Sequence, residues 1–432
     1  MKPLRHVVAL LYVALLPSLS HAENTAAADI LITAFHDKQW QVRYDLPHPT
    51  REMVFARSPD DSRKQSWLAD ELFEIVEKDR GEAVHRKDGA EFKTLRIRMS
   101  AEYRVLPNDY APFSPFGDGG MLFHTGRFFA CAGVCPKDAK WSMSLWADPK
   151  DAVVLNGKRE SYYVQWDDSE QGRMIYVGNN PGIKTRDFDA IVDGALPERV
   201  RRSLLSELPR AIGDFSAKFG SLPAKPMVFA SYDAAYHPGW GRQGGVLGNQ
   251  IFTHIYGAHW DAEMQRPNFG PDLEWYFAHE TAHLYQRQMY PGGPGDAWIH
   301  EGSAEAFAAI ALKTRGAAEK AYVEDRVGLA KRKCGAVLGA NSLDDVLSKT
   351  NDLSAAYSCG MALNLFVDEG VRKQGHDGLY AVWRDYIKKA TASHDRTRAA
   401  YLQAVGRNGG AKLERDVRRM LVTANAFSGM AQ

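Results

Sequence analysis

The sequence predicts an α+β protein of more than one domain, in which a β-rich amino-terminal region precedes a mixed region and a helical carboxyl-terminal region. Apolar and polar residues alternate along many segments of residues 23–188, as they do in half-buried strands. From residue 197 onward, apolar residues more often recur at helical spacing. A chain of 432 residues has room for roughly two or three domains, and we place them at residues 23–188, 189–312 and 313–432.

The first residues have the pattern of a secretory signal peptide. Lys2 and Arg5 make a basic start, residues 7–16 are apolar, and Ser20-His21-Ala22 is an acceptable cleavage site. We therefore expect residues 1–22 to be removed and the mature chain to be exported, either to a periplasm or out of the cell. A retained membrane anchor is the alternative. No later segment has the roughly 18 apolar residues that a membrane helix needs.

The chain has four cysteines, Cys131, Cys135, Cys334 and Cys359. An even number in an exported protein indicates two disulfides. The expected pairs are Cys131 with Cys135, across a small loop that contains glycine, and Cys334 with Cys359. Free buried thiols are the alternative.

Residues 23–188 are expected to form a β-sandwich, because period-two alternation indicates sheets with one buried face. Glycines and prolines separate the alternating segments, as they do at turns. Residues 66–78 have the character of either a short helix or a connecting loop. The clearest inward-facing sets are Trp40, Val42, Tyr44 and Leu46; Leu95, Ile97 and Met99; and Tyr162, Val164 and Trp166.

The second region begins with a helix and continues with short strands. The helix is expected to start at Pro197 and to kink or break at Pro209. Residues 227–230 and 250–256 have strand character, and the glycine-rich residues 239–248 lie between them. We expect residues 250–256 to form an edge strand that binds substrate, because they come shortly before the metal motif.

His279, Glu280 and His283 form an H-E-x-x-H motif, which predicts a zinc site on a helix. Residues four apart share one helix face, so both imidazoles can reach one zinc ion at about 2.0–2.1 Å. A catalytic zinc takes three protein ligands and keeps one position for water. Glu301 is placed to be the third ligand, on a second helix that is expected to start at Trp298.

The residues around the motif predict hydrolysis with one Zn²⁺ per chain. Glu280 is expected to take a proton from a water on the metal and to pass it to the leaving amine. Glu305 lies one helical turn after Glu301 and faces the same way. It can accept a hydrogen bond from the outer nitrogen of His279 or His283, which would fix the orientation of that ring.

The overall charge gives no case for a nucleic acid or an anionic membrane as partner. Lys and Arg number 54, Asp and Glu number 53, and the formal net charge is +1. A near-neutral chain does not attract polyanions at long range. Hydrolysis with an amine as the leaving group instead predicts a peptide or protein substrate.

The two motifs, H-E-x-x-H at residues 279–283 and W-x-x-E-G-x-A-E at residues 298–305, resemble those of the gluzincin metallopeptidases. The most similar branches are the aminopeptidase N and glycyl aminopeptidase families, in which a tyrosine of a Tyr-x-x-Gly sequence donates a hydrogen bond to the oxyanion. Residues 357–360 match that sequence, and the motifs together cover about residues 240–370. The resemblance implies a thermolysin-like catalytic domain at residues 189–312. It also implies zinc ligands at His279, His283 and Glu301, a general base at Glu280 and an oxyanion donor at Tyr357.

One piece of the aminopeptidase N pattern is missing from this sequence. The Gly-x-Met-Glu-Asn strand, which grips the free amino terminus of a substrate in that family, has no match. The nearest counterpart is residues 245–250, which contain no carboxylate, and within it Gly248, Asn249 and Gln250 are the candidate substrate-binding residues. Hydrolysis is therefore better supported than aminopeptidase specificity. Two alternatives are a non-catalytic scaffold or binding protein with the metallopeptidase fold, and a zinc hydrolase of a non-peptide amide.

Overall fold

The computed structural model of the chain describes residues 26–35, 38–58, 61–78, 81–106, 109–287, 289, 291, 293–349, 353–424 and 427. The predicted signal peptide, residues 1–22, lies outside the described residues. Among the residues that are described, no helix combines the length and the apolar character needed to cross a membrane.

In its described residues, the amino-terminal region has three sheets, one short α-helix and a 3-10 helix at Thr125–Phe128. Its helix is α1, Ser62–Ser66. Its strands are β1 Asp29–Thr33, β2 Gln39–Thr50, β3 Glu52–Phe55, β4 Trp67–Ala69, β5 Phe73–Lys78, β6 Gly81–Arg86, β7 Phe92–Ser100, β8 Phe113–Pro115, β9 Met121–His124, β10 Ala130–Ala132, β11 Lys140–Trp146, β12 Ala152–Leu155, β13 Lys158–Glu160, β14 Tyr163–Ser169 and β15 Met174–Gly178. The sheet orders are β14-β11-β1-β2-β7-β4, β10-β3-β6-β5 and β13-β12-β15-β9-β8.

The inner faces of these three sheets share one apolar core. Along β2, Trp40, Val42, Tyr44 and Leu46 are buried, and the residues between them face outward. The predicted packing of sheet on sheet is confirmed, with three sheets taking part. Residues 66–78, for which a helix or a loop was expected, instead form mainly the strands β4 and β5.

A fourth sheet follows, and it supports the metal motif. Its strands are β16 Ile183–Lys184, β17 Asp189–Val192, β18 Met227–Asp233, β19 Gly241–Leu247 and β20 Gln250–Tyr256, in the order β16-β17-β18-β20-β19. Strands β17, β18 and β20 are parallel, and β19 runs antiparallel to β20 at the edge. The expectation that residues 250–256 form the edge strand is therefore wrong, because β20 is an interior strand and β19 is the edge.

Helices form the rest of the chain. They are α2 Glu198–Phe219, α3 Trp260–Met264, α4 Phe269–Gln286, α5 Ala297–Leu312, α6 Ala317–Leu338, α7 Leu343–Lys349, α8 Ser354–Arg372, α9 Gly378–Ser393 and α10 Arg398–Val422. Helix α2 continues through Pro209 as one helix, so the expected break is absent. The β-rich, mixed and helical regions follow one another in the predicted order, which confirms the fold class.

One apolar core extends through the fourth sheet and all of the longer helices. Its buried members run from Phe188 to Phe427 and include residues of α2, α4, α5, α6, α8, α9 and α10. The predicted boundary at residue 312 therefore does not separate two cores. The fourth sheet also begins at Ile183, slightly before the boundary predicted at residue 188.

Both predicted disulfides are present. Cys131 is bonded to Cys135 at the end of β10. Cys334 of α6 is bonded to Cys359 of α8. The second bond joins two helices that pack close to the metal motif.

Candidate metal centre

Helix α4 carries the H-E-x-x-H motif and is held firmly by its apolar face. Leu273, Phe277 and Leu284 are buried in the helical core. His279 and His283 lie one turn apart, as predicted, and α5 packs against this helix. The metal motif is therefore built on two packed helices rather than on a loop.

Three side-chain atoms of these helices converge on one point. Nε2 of His279 lies 3.1 Å from Nε2 of His283. Each of these nitrogens lies 3.4 Å from Oε2 of Glu301. Within the described part of the chain, these residues are the one group of His, Cys, Asp and Glu whose ligand atoms are close enough to hold a metal ion.

The spacing of the three atoms fits tetrahedral zinc. Ligand atoms at about 2.0–2.1 Å from a tetrahedral ion lie about 3.3–3.4 Å from one another. Oε2 of Glu301 is buried and makes no hydrogen bond. A buried, unpaired carboxylate oxygen that faces two imidazole nitrogens needs a cation at their common point. The residues present therefore fit the metal that the motif predicts.

The outer nitrogens of both imidazoles face acceptor oxygens. Nδ1 of His283 lies 2.7 Å from Oε1 of Gln286. The Gln286 amide nitrogen donates to His300 O and to Ser303 Oγ, which leaves its oxygen as the acceptor for His283. The proton of His283 is thus on Nδ1, and its Nε2 lone pair points to the centre of the site.

Glu305 faces the outer nitrogen of His279. Its Oε1 lies 3.0 Å from Nδ1 of His279, a short contact whose angle departs from that of a straight hydrogen bond. Its other oxygen accepts from the Trp275 indole at 3.2 Å and lies 3.6 Å from the Arg326 guanidinium. Side chains of α4 and α6 therefore hold this carboxylate beside the His279 imidazole, where it can orient the ring.

The field inside the site favours a cation. Burial opposes the charged form of His279, yet its contacts with Glu301 and Glu305 raise its pKa to about 10. Burial would also raise the pKa of Glu301, but the charge of His283 and the closeness of both histidines hold that pKa well below its usual range. The same carboxylates that hold a proton on His279 would attract a divalent metal ion.

Glu280 lies beside the three converging atoms and is buried. Its burial raises its pKa, and the neighbouring His279 and His283 oppose that change only in part. The positive charge of Arg242 of β19 also acts to lower the pKa of Glu280. A carboxylate with a raised pKa is a better proton acceptor near neutral pH than an ordinary exposed one.

Tyr357 reaches the site from α8, as the family resemblance implied. Its ring stacks on that of His279, with 5.9 Å between centroids. Burial of its hydroxyl, together with the negative charge of Glu301 beside it, raises its pKa well above the usual value. The hydroxyl therefore stays protonated and can donate a hydrogen bond.

His300 lies beside Glu301, although neighbouring residues point about 100° apart around a helix. Its Nε2 lies 3.4 Å from Oε1 of Glu301. Burial lowers the pKa of His300 to about 4, so the ring is neutral at physiological pH. His300 thus contacts Oε1 of Glu301, whereas His279 and His283 contact Oε2.

Strand β19 carries glycines because tyrosine side chains occupy the space next to it. A Cβ on Gly245 would lie 2.6 Å from the Tyr110 ring, and a Cβ on Gly244 would collide with the hydroxyl of Tyr276. In the sequence these glycines resemble a loop, which is why the edge strand was missed. Arg242 was missed as well, although it forms an ion pair with Asp272 at 2.7 Å and packs over the Tyr276 ring.

The three candidate substrate-binding residues lie at the turn between β19 and β20. Gly248 has a left-handed φ of 57° in that turn. Asn249 donates to Lys225 O at 2.8 Å, and Gln250 is bonded to the backbone of Met174. These polar side chains are committed to contacts between elements, and their substrate-binding role stays a prediction.

Comparison with solved structures identifies proteins of the same fold. Yeast LTA4 hydrolase in complex with Bestatin matches with a TM-score of 0.55 and 11% sequence identity, over 93% of this chain and 68% of that one. The chain has the fold of yeast LTA4 hydrolase. Native yeast LTA4 hydrolase matches with a TM-score of 0.53 and 10% identity, over 92% and 67% of the two chains. The likeness to LTA4 hydrolase includes both the β-rich region and the helices, and it confirms the predicted family resemblance at the level of the fold.

Other comparisons add less. An M1 zinc metallopeptidase variant from Deinococcus radiodurans, bound to a Tyr-Ser-Ala substrate, matches with a TM-score of 0.49 and 15% identity, over 91% of this chain and 93% of that one. No protein-family model matches the sequence, and no curated protein does.

Proposed function

We propose that the chain is an exported zinc-dependent metallopeptidase that cleaves peptide bonds. The observation that carries this proposal is the triangle of ligand atoms from His279, His283 and Glu301, whose edges of 3.1–3.4 Å match one face of a zinc tetrahedron. Its fold is that of a protein named as a hydrolase. A scaffold protein would need neither a buried carboxylate at Glu280 nor a hydroxyl at Tyr357.

Each remaining group has a place in the reaction. Zinc, when bound, supplies a Lewis acid that polarises the substrate carbonyl and lowers the pKa of water. Glu280 accepts a proton from the attacking water and then gives it to the leaving amine nitrogen. Tyr357 donates a hydrogen bond from its hydroxyl to the carbonyl oxygen as that oxygen becomes negative.

The open edge of β19 is the proposed position of the substrate backbone. A strand with one unpaired edge can accept an extended peptide as an additional strand. Arg242 connects this strand to α4, because it pairs with Asp272 and packs over the ring of Tyr276. Tyr276 precedes His279 by three residues. The catalytic unit that we propose is a thermolysin-like domain of residues 189–312 together with α8, because Tyr357 lies beyond residue 312.

The proposal of export rests on the two disulfides. Cys131–Cys135 and Cys334–Cys359 account for all four cysteines of the chain. Structural disulfides persist in oxidising compartments and are rare in the cytosol. Redox labelling of the protein in intact cells would test the proposal, since export predicts that all four thiols are oxidised.

Replacement of Glu280 by Gln tests the mechanism. We expect zinc to remain at one ion per chain, because Glu280 is not a ligand, and kcat to fall by about 10²–10⁴-fold, because the proton acceptor is lost. Activity is measured on a peptide library, and zinc by elemental analysis. Glu324→Gln is the matched control, since Glu324 is exposed on α6 and should leave both values unchanged.

Two further measurements separate the alternatives. Glu301→Ala should lose zinc, and a stoichiometric ion in that variant would mean that the third ligand lies elsewhere. Digestion of matched peptides with free and acetylated amino termini, with and without a chelator, gives the end preference and the metal dependence together. Unchanged peptides in every arm would favour a scaffold or a hydrolase of another amide and would overturn the proposal.

A further inference from the structure

Tyr357 lies in the first turn of α8, close to the amino-terminal end of the helix. Helix α8 begins at Ser354, and its N-cap residue, Leu353, makes no side-chain hydrogen bond to the helix. The backbone N–H of Tyr357 bonds to Leu353 O at 3.1 Å, which makes it part of the first turn. Helix ends fray because their terminal groups lack partners. Although 37% of the Tyr357 surface is exposed, its ring stacks on that of His279, so contacts that fix the first turn of α8 also affect the position of the hydroxyl.

The first such contact joins α8 to α5. The two helices cross where Gly360 meets Gly302, the residue after Glu301, and a Cβ on Gly360 would lie 2.9 Å from Gly302 Cα. The Asn364 amide donates to Trp298 O at 3.0 Å near the same crossing. This contact sets the distance between the helices.

The Cys334–Cys359 disulfide supplies the second contact, on another face of α8. Adjacent residues point about 100° apart around a helix, so Cys359 and Gly360 attach α8 in two different directions. Both cysteines are fully buried, and their Cα atoms are 4.8 Å apart. The bond lies two residues after Tyr357, closer to it along the chain than the glycine crossing.

The partner helix of this disulfide is itself tied to the metal centre. Arg326 of α6 lies 3.6 Å from Glu305 and 3.5 Å from Asp272, and its guanidinium packs over the Trp275 ring. Helix α6 therefore contacts the carboxylate that orients His279. The covalent bond from α6 to α8 therefore connects the helix that carries Tyr357 to the helix whose Arg326 contacts Glu305, the carboxylate beside His279.

We propose that the Cys334–Cys359 disulfide is a positioning element for Tyr357, which holds the hydroxyl where it can donate to the reacting carbonyl oxygen. The inference rests on the proposed peptidase function and adds to it a role for a bond outside the site. Without the bond, α8 stays packed through Gly360, but its first turn rotates and frays. Loss of the bond should therefore lower kcat and leave zinc binding and substrate binding unchanged.

The test removes this disulfide and compares it with the other one. In Cys334→Ala/Cys359→Ala we expect kcat to fall by about 10–100-fold, the size of effect that a small misplacement of a reacting group produces. KM and the zinc content should stay the same. Cys131→Ala/Cys135→Ala is the matched control, because its bond lies in the amino-terminal sheets, and its kcat should be unchanged.

A second background separates positioning from a general structural role. Tyr357→Phe should lower kcat by about 10²–10³-fold, as loss of an oxyanion donor does. Removal of Cys334–Cys359 in that background should then change kcat by less than about twofold, because the group it positions is already gone. An equal loss in both backgrounds would overturn the proposal. Full activity of Tyr357→Phe would instead refute the role assigned to Tyr357 in the proposed function.

Reduction of the folded protein covers the case in which the cysteine variant does not fold. The zinc-loaded wild type and Tyr357→Phe are each treated with a phosphine, and mass spectrometry identifies the opened bond. Opening of Cys334–Cys359 should lower kcat in the wild type only. The same fractional loss in both proteins, or none in the wild type, would contradict the proposal.

Discussion

Gln286 shows how single residues outside the ligand set shape the centre. It accepts from Nδ1 of His283 and donates to His300 O and Ser303 Oγ, so it joins the metal helix α4 to α5. Its amide therefore fixes both the tautomer of a ligand and the position of the helix that carries Glu301. Gln286 is buried, and its three hydrogen bonds join a metal ligand of α4 to two residues of α5, which indicates a role in holding the site together.

Gln286→Ala should weaken zinc binding by about 10–100-fold, since loss of a group that orients a ligand has this effect. The dissociation constant is measured by competition with a coloured chelator. Gln265→Ala, at an exposed glutamine after α3, is the control and should bind zinc as tightly as the wild type. An unchanged dissociation constant in Gln286→Ala would show that the ring is oriented without this contact.

At the residue scale, spacing within a helix predicted which of the proposed site residues lie together. His279, His283 and Glu305 came together as their positions along α4 and α5 predicted, since these helices are regular. Gln286 was missed, although it follows His283 by three positions and shares its face. The ring of His300 turns toward Glu301, which spacing alone does not show, because spacing gives the direction of a side chain only approximately.

The crossing of α5 and α8 is the element-scale feature on which the site depends. Gly360→Ala would force a methyl group against the backbone of Gly302, where nothing flexible can give way. We expect overpacking of about 1–3 kcal/mol to outweigh the gain in helix propensity, and kcat to fall because Tyr357 moves. Chemical denaturation and peptide cleavage measure the two effects.

Gly335→Ala is the matched control for this prediction. Gly335 also lies inside a helix, but nothing is within 4 Å of a Cβ added there. It should therefore stabilise the protein by up to about 1 kcal/mol, as alanine does at an exposed helix position. A stabilised Gly360→Ala variant would mean that the two helices can separate without cost.

Elements were predicted well where apolar periodicity was clear and poorly where packing needed glycine. The helices α4 and α5 and the strand β2 follow their sequence patterns. Strand β19 does not, because Gly244 and Gly245 make room for Tyr276 and Tyr110, which lie far away in sequence or on another element. Because tertiary packing is the reason for these glycines, the local sequence does not show that the segment is a strand.

At the scale of the whole molecule, Gln250 joins the amino-terminal sheets to the catalytic sheet. Its amide accepts from Met174 N and donates to Met174 O, both at 2.8 Å, as a neighbouring strand would. Tyr103, from the loop after β7, adds a hydrogen bond to Gln243 of β19 at 2.8 Å. The β-rich region therefore supports the strand that we propose as the substrate edge.

Gln250→Leu should lower the free energy of unfolding by about 2–4 kcal/mol, because it leaves a buried N–H and C=O of Met174 unpaired. KM should not change if Gln250 is a structural residue. Denaturant unfolding and steady-state kinetics give the two values. A raised KM with unchanged stability would instead restore Gln250 as a substrate-binding residue. Asn249→Ala, at the partly exposed neighbour, should change neither value greatly.

The open edge of β19 has a consequence for solubility. A strand edge that can accept a peptide can also pair with another copy of the same chain, which is a common route to aggregation. Gly244 and Gly245 offer no side chains for cross-strand packing, and glycine is among the residues least favoured in strands. The glycines that make room for the tyrosines therefore also keep this edge a poor template for self-association, while the charged Arg242 on the same strand works in the same direction.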